Sequence, residues 1–163
     1  MLTESETARR QAQLGSLMHL LYILDAAGEG VLGKGAPAMM YQAGRDEGII
    51  QGVTAGRTID IEEALSMVLS GGNDVWRVER WKEPGRDDFW MNDGNVRSTW
   101  LIFRLCPLLE LSKRAGSNLG GLLCQALHGY TAGSMESVMG CRVEMRVGHC
   151  GPGACKVLLE MSD

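Results

Sequence analysis

The spacing of apolar residues changes period along this chain, and that change limits the fold more than any other feature. From Ala8 to Ala27, Leu14, Leu17, Met18, Leu21, Tyr22 and Leu24 share one broad face at helical spacing. Gly28, Gly30 and Gly33 are expected to break this helix. A second helix is predicted from Ala36-Pro37, where proline suits a first turn, to about Gly52. A third follows Thr58 and Asp60, both able to cap it, with Ile61, Ala64, Leu65 and Val68 turned inward until Gly71-Gly72. Asp74 to Trp81 then alternates, Val75 on one side and Trp76 and Val78 on the other, as a strand does. Asp88 to Met91 reads as a second strand, closed by the turn signal Asn92-Asp93-Gly94, and Val96 to Leu105 as a third, rich in β-branched and aromatic residues. A short helix after Pro107, a longer one after Ser117/Asn118, and the strands Cys141–Val147 and Cys155–Glu160 complete the chain. This order predicts an α+β fold with an antiparallel sheet, and 163 residues suit one domain spanning residues 1–163.

Charge excludes some functions. A net charge of −4 and a pI of about 5.4 argue against a general nucleic-acid binder, which needs a basic face to neutralise phosphates. The first residues are acidic, unlike a secretory signal. The most apolar stretch, Leu14 to Ala27, holds His19 and Asp25 and is shorter than the ~20 residues of a membrane span. Cytoplasm is the expected location. No phosphate-binding loop, dinucleotide fingerprint, HExxH or Ser–His–Asp order is present.

The chemistry concentrates in the cysteines. There are five, an odd number that fits poorly with paired disulfides. Cys150 and Cys155 flank a glycine-rich turn, a knuckle on which two thiolates can converge on one cation. Cys124 and His128 are four apart and project from one helical face. Soft thiolates with an imidazole suit zinc, or an iron–sulfur centre in a suitable organism. The plainer alternative makes Cys124 a core residue and leaves the knuckle thiols without a cation. Cys106, before Pro107, reads as ligand, nucleophile or buried residue; Cys124 with His128 also reads as a thiol–imidazole pair. All four tryptophans fall in the strand region, and ten methionines make an adaptable interior. Trp90 and Trp100 are therefore candidate walls of an apolar pocket between the sheet and the helix Leu119–Val138, with Tyr130 as its polar handle. The alternative is that these rings only fill the core.

Two segments carry a resemblance. Leu123-Cys-Gln-Ala-Leu-His-Gly-Tyr-Thr-Ala-Gly-Ser-Met-Glu-Ser-Val-Met-Gly140, followed by a strand and then Cys150 and Cys155, resembles the C-terminal signature of the 4-vinyl reductase domain family. Met40-Tyr-Gln-Ala-Gly-Arg-Asp-Glu-Gly48 is similar to that family's upstream landmark. The resemblance implies a hydrocarbon- or ligand-binding α+β fold like that of vesicle-tethering subunits that hold an acyl chain. Phenol-responsive sensor domains belong to the family. In those sensors three cysteines and a glutamate hold a structural zinc, which carries over to Cys124, Cys150 and Cys155. The glutamate position falls on Val147, so the resemblance requires a substitute from Cys106, His128 or, more weakly, Glu144. The sensors' pocket tryptophan corresponds to Trp90. Their ligand-binding histidine has no counterpart, since no histidine lies between residues 50 and 90, and phenol itself is not the expected ligand.

Three functions follow from these features: a binding or carrier module for an aromatic compound, lipid or tetrapyrrole; an assembly or maturation factor acting through a partner protein; or a thiol-dependent hydrolase or accessory reductase. The absence of an acid/base set favours the first over the third. Family members commonly pair through their N-terminal region, so a homodimer, or a heterodimer with a related chain, is expected to bury Leu17, Leu21 and Leu24.

Overall fold

Thr3 starts the first helix with a capping box: its Oγ1 accepts from the Glu6 N–H at 3.2 Å, and Glu6 Oε2 accepts from the Thr3 N–H at 2.9 Å. In the computed structural model, which describes residues 3–69, 75–115, 121–151 and 153–163, helix α1 runs over Glu4–Leu32. Gly28 and Gly30 do not break it. Both stay helical, and only Gly33, at φ +68°, takes the conformation that ends it. After a 3₁₀ turn at Gly33–Gly35 come α2 (Ala36–Gly52) and α3 (Ile61–Val68). Asp60 Oδ1 caps α3 by accepting from the Glu63 N–H at 2.8 Å, and α3 buries Ile61, Ala64, Leu65 and Val68, the residues its period selects.

The strands are β1 (Arg77–Trp81), β2 (Met91–Asp93), β3 (Val96–Leu105), β4 (Arg142–Cys150) and β5 (Cys155–Ser162). All pairings are antiparallel, in the order β1-β3-β5-β4, with β2 pairing β3 beyond the end of β1. The second expected strand is thus displaced: Phe89 and Trp90 precede β2 rather than belonging to it. Between β3 and β4 lie α4 (Pro107–Ala115) and α5 (Leu122–Met139). The fold is α+β, with helices on one face of the sheet. Ala132, Met135 and Val138 of α5 meet Leu101, Phe103, Val143, Met145, Val157 and Leu159, all nearly or fully buried.

Helix α5 begins at Leu122 with Gly121 as its N-cap, and the Ser117/Asn118 cap expected for it lies outside the described residues, as do Leu119 and Gly71-Gly72. Part of the capping comes from far away in the chain. Asp25 Oδ1 of α1 accepts from the Leu123 N–H at 2.7 Å, placing a carboxylate at the positive end of α5. This contact ties the C-terminal part of α1 to the core, while Leu14, Leu17, Leu20 and Leu24 are each more than half exposed.

The two quoted motifs pack against each other. Gly44, Gly48 and Gly52 of α2 face Gly129 and Gly133 of α5 so closely that a Cβ on any of the five would overlap a backbone carbonyl of the opposing helix. Small residues four apart on both helices permit this approach. Ser134 and Ser137 of α5 donate to the carbonyls of Gly48 and Ile49 at 3.0 and 2.8 Å. The close crossing also delivers two side chains to the edge strand β4. Tyr41 Oη accepts from the Met145 N–H at 2.9 Å, and Glu136 Oε2 accepts from the Val143 N–H at 3.1 Å. Arg45 holds Glu136 in place at 2.6 Å. Thus Tyr41 and Arg45 of the first motif, with Glu136 of the second, close the open edge of the sheet.

Candidate functional site

The β4–β5 hairpin places Cys150 directly opposite Cys155, closed by a Gly151 N–H to Ala154 carbonyl bond of 3.0 Å. A register shift between Val147 and His149 turns the last residues of β4, and the two thiols hydrogen-bond to each other. Cys106 follows β3, where its Sγ accepts from the Leu109 N–H at 3.2 Å at the start of α4, and Cys124 sits in the first turn of α5. Both lie close enough to Cys150 to act on its ionisation. The four nominated cysteines therefore gather at one end of the sheet, while Cys141 stands near Asp163 and Glu136. Burial pushes the Cys155 thiol up to about 12, and burial also raises Cys150. Such thiols stay protonated at neutral pH and are poor nucleophiles without a cation.

Thiolates are the soft ligands that zinc prefers. Among the described residues, however, no group of three or more His, Cys, Asp or Glu side chains is arranged to hold a metal ion. Glu144, the weaker substitute ligand, belongs to the opposite face of the sheet and is engaged by Arg142 and Arg146. Val147 pairs with Val157.

His128 is 4% exposed, with its ring edge-on to Phe103 at 6.0 Å and, among the described residues, no hydrogen-bond partner for its Nδ1. Burial lowers its pKa from 6.5 to about 4, so the folded protein holds it neutral. As pH falls through 6.5 the unfolded chain takes up the proton first, and stability declines until the folded-state value near 4 is passed. Metal-free protein is expected to lose about 2 kcal/mol between pH 7.5 and pH 5 from this residue alone. Urea unfolding at both pH values checks this: the difference should shrink in His128→Leu, and an equal loss in that variant would assign it elsewhere.

The ligand-binding candidates divide between two faces of the sheet. Thr99, Leu101 and Phe103 point from β3 into the core, so Trp100, between them, points away. Its Nε1 donates to Glu83 at 3.0 Å, and Lys156 Nζ lies 3.6 and 4.1 Å from the Trp81 and Trp100 ring centres. Trp100 therefore cannot wall a pocket between the sheet and α5. The backbone of Tyr130 packs against Gly44 and Gly48 of α2. Trp90 is on the core side, packed against the partly buried rim of the core.

What surrounds Trp90 was not anticipated from sequence. The guanidinium of Arg80 stacks over Phe89 and Trp90 at 4.8 and 5.0 Å, and that of Arg97 over Trp90 at 4.2 Å. Arg86 Nη2 donates to the Trp90 carbonyl at 3.3 Å. Arg80 Nε and Nη2 are shut off from solvent, as is the Thr99 hydroxyl, and among the described residues none of the three has a hydrogen-bond partner. Two positions before Arg80, Val78 joins Trp76, Leu65, Ser66 and Leu69 around an apolar hollow of about 90 Å³ against α3, open to solvent on one side. The signal for Arg80 was its place in the alternation 76, 78, 80, which sets an arginine on the inward side of β1. A larger hollow of about 240 Å³ near Val96 is lined by Arg142, Glu144, Arg146 and Glu160, charges already paired with one another.

No helix among the described residues is long and apolar enough to cross a membrane. Neither a family profile nor a curated protein sequence matches this chain. Its fold is similar to that of a solved structure, the phenol-responsive sensory domain of the transcription activator PoxR with phenol, at 16% identity over 93% of this chain and 73% of that one, with a TM-score of 0.51.

Proposed function

We propose that this chain is a binding module of the 4-vinyl reductase type for a small apolar ligand, held on the core side of the sheet beside β1 and α3. The observation that carries this reading is the hollow lined by Leu65, Leu69, Trp76 and Val78, two positions along β1 from Arg80, whose Nε and Nη2 have no hydrogen-bond partner among the described residues and whose guanidinium lies over Trp90. The fold shared with a phenol-responsive sensory domain supports it. At about 90 Å³ the cavity is far below the ~300–1,000 Å³ of sites for drug-sized ligands, so a single ring or short chain suits it better than a tetrapyrrole. The cysteines belong to the proposal as a structural metal site, with Cys124, Cys150 and Cys155 as ligands and Cys106 or His128 as the fourth. Bound zinc would supply cross-linking between the hairpin and α5, not chemistry at the ligand.

Tryptophan fluorescence titrated with small phenols, fatty acids and porphyrins tests the binding reading. Small-ring ligands are expected to bind at micromolar concentrations, and Trp90→Ala to weaken them by tenfold or more while Trp100→Ala leaves affinity unchanged. If the parent binds none of them, a partner-protein function takes its place. The apolar residues exposed on α1 support the proposed dimer, through Leu17, Leu21 and Leu24. Light scattering at tens of micromolar should give twice the chain mass, and a monomer there would remove this part of the proposal.

A further inference from the structure

Arg80 presents an unusual combination: its faces are occupied and its edge is not. The stacking of Phe89 and Trp90 on the guanidinium fixes its plane, and fixed π-stacking leaves the in-plane N–H groups unsatisfied. The two unpartnered atoms are Nε and Nη2, the side-by-side pair that forms the fork with which arginine grips two oxygens at once. Two desolvated guanidinium N–H groups without an acceptor are costly to keep, and the rings of Phe89 and Trp90 offset the charge without supplying a hydrogen bond to either. On the next strand, Thr99 stands diagonally across from Arg80, since Arg80 pairs with Leu101, and its hydroxyl is likewise buried and unpartnered. Arg97 and Arg86 add positive charge around the same tryptophan.

We propose that Arg80 is the anion-recognition residue of the ligand site and that the ligand is a small apolar carboxylate. The carboxylate takes the Nε/Nη2 fork and the Thr99 hydroxyl, and its apolar body lies toward Val78 and Trp76, where β1 borders the cavity. The proposal rests on the binding-module reading and names the ligand class for it. A planar two-oxygen anion satisfies the fork, and a neutral phenol or alcohol of the same size leaves it half unmet.

Calorimetric titration of the full chain at pH 7.5 with benzoate, benzyl alcohol, phenol and inorganic phosphate tests this. Benzoate is expected to bind at least tenfold more tightly than benzyl alcohol or phosphate. Arg80→Met should abolish that preference, and Arg80→Lys, which keeps the charge without the fork, should restore only part of it. Saturating benzoate should raise the melting midpoint of the parent and leave that of Arg80→Met unchanged; an equal rise in both would make Arg80 a structural residue and overturn the proposal. Equal binding of benzoate and benzyl alcohol, a preference that survives Arg80→Met, or phosphate binding as tightly as benzoate would also overturn it. If phenol and benzyl alcohol bind but benzoate is not preferred, only this inference falls. If none of the probes binds, the binding-module reading falls with it.

Discussion

Alanine at Gly129 is expected to lower the thermal midpoint by about 6–12 °C. A Cβ there would overlap the Tyr41 carbonyl oxygen, which belongs to the backbone of a helix and cannot rotate away. The helices must separate, and overpacking of this kind costs about 3 kcal/mol or somewhat more, at ~2–4 °C per kcal/mol for a chain of this length. The damage should spread, because the same stretch of α2 carries Tyr41 and Arg45, which serve β4 directly and through Glu136. Amide hydrogen exchange at Val143 and Met145 should therefore accelerate in Gly129→Ala before the rest of the sheet opens. Gly15→Ala is the control, since a Cβ at that exposed helical position meets nothing, and alanine there should stabilise by about 1 kcal/mol. A midpoint for Gly129→Ala within 2 °C of the parent would mean that the crossing is looser than described.

The second large effect concerns zinc. Protein prepared without chelators is expected to retain about one equivalent, and its removal to cost several kcal/mol, because binding would join the β4–β5 hairpin to α5 and to the end of β3. Both knuckle thiols hold their protons at neutral pH, so binding must displace them, and retention should strengthen as pH rises. Cys155→Ser should lose the metal and Cys141→Ser should keep it. Comparing Cys106→Ser with His128→Gln identifies the fourth ligand, and visible absorption would report an iron–sulfur centre instead. Less than about a tenth of an equivalent of any transition metal in careful elemental analysis would end the metal proposal.

The legibility of the fold varied with the range of the interaction. Asp60 capping α3, the inward face of α3 and the span of β3 depend on neighbours in sequence, and period and capping chemistry place them correctly. Gly28 and Gly30 were misjudged because a glycine's helix cost of about 1 kcal/mol each does not stop a helix. Asp25 capping α5 spans 98 positions, and no local pattern announces it. The side of Trp100 was hidden because β3 is apolar on both faces: Leu101 and Phe103 inward, Trp100 and Ile102 outward. The pairing of Cys150 with Cys155 across the hairpin followed from their spacing, whereas the Arg80 environment needed the third dimension, since Phe89 and Trp90 reach it from a different segment. The glycines carried a usable signal, a repeat of four on two helices, whose meaning becomes plain only when the helices are seen to cross.

The capping of β4 also bears on how copies of this chain can meet. An exposed strand edge invites another strand to add to it, the route by which sheets fuse into fibres or swapped dimers. Here a tyrosine hydroxyl and a carboxylate already occupy the outward N–H groups of Val143 and Met145, so an incoming strand must first displace a buffered pair of hydrogen bonds and the arginine behind them. Self-association along that border is therefore disfavoured by the way the helices pack, and the sheets of neighbouring copies are kept from running together.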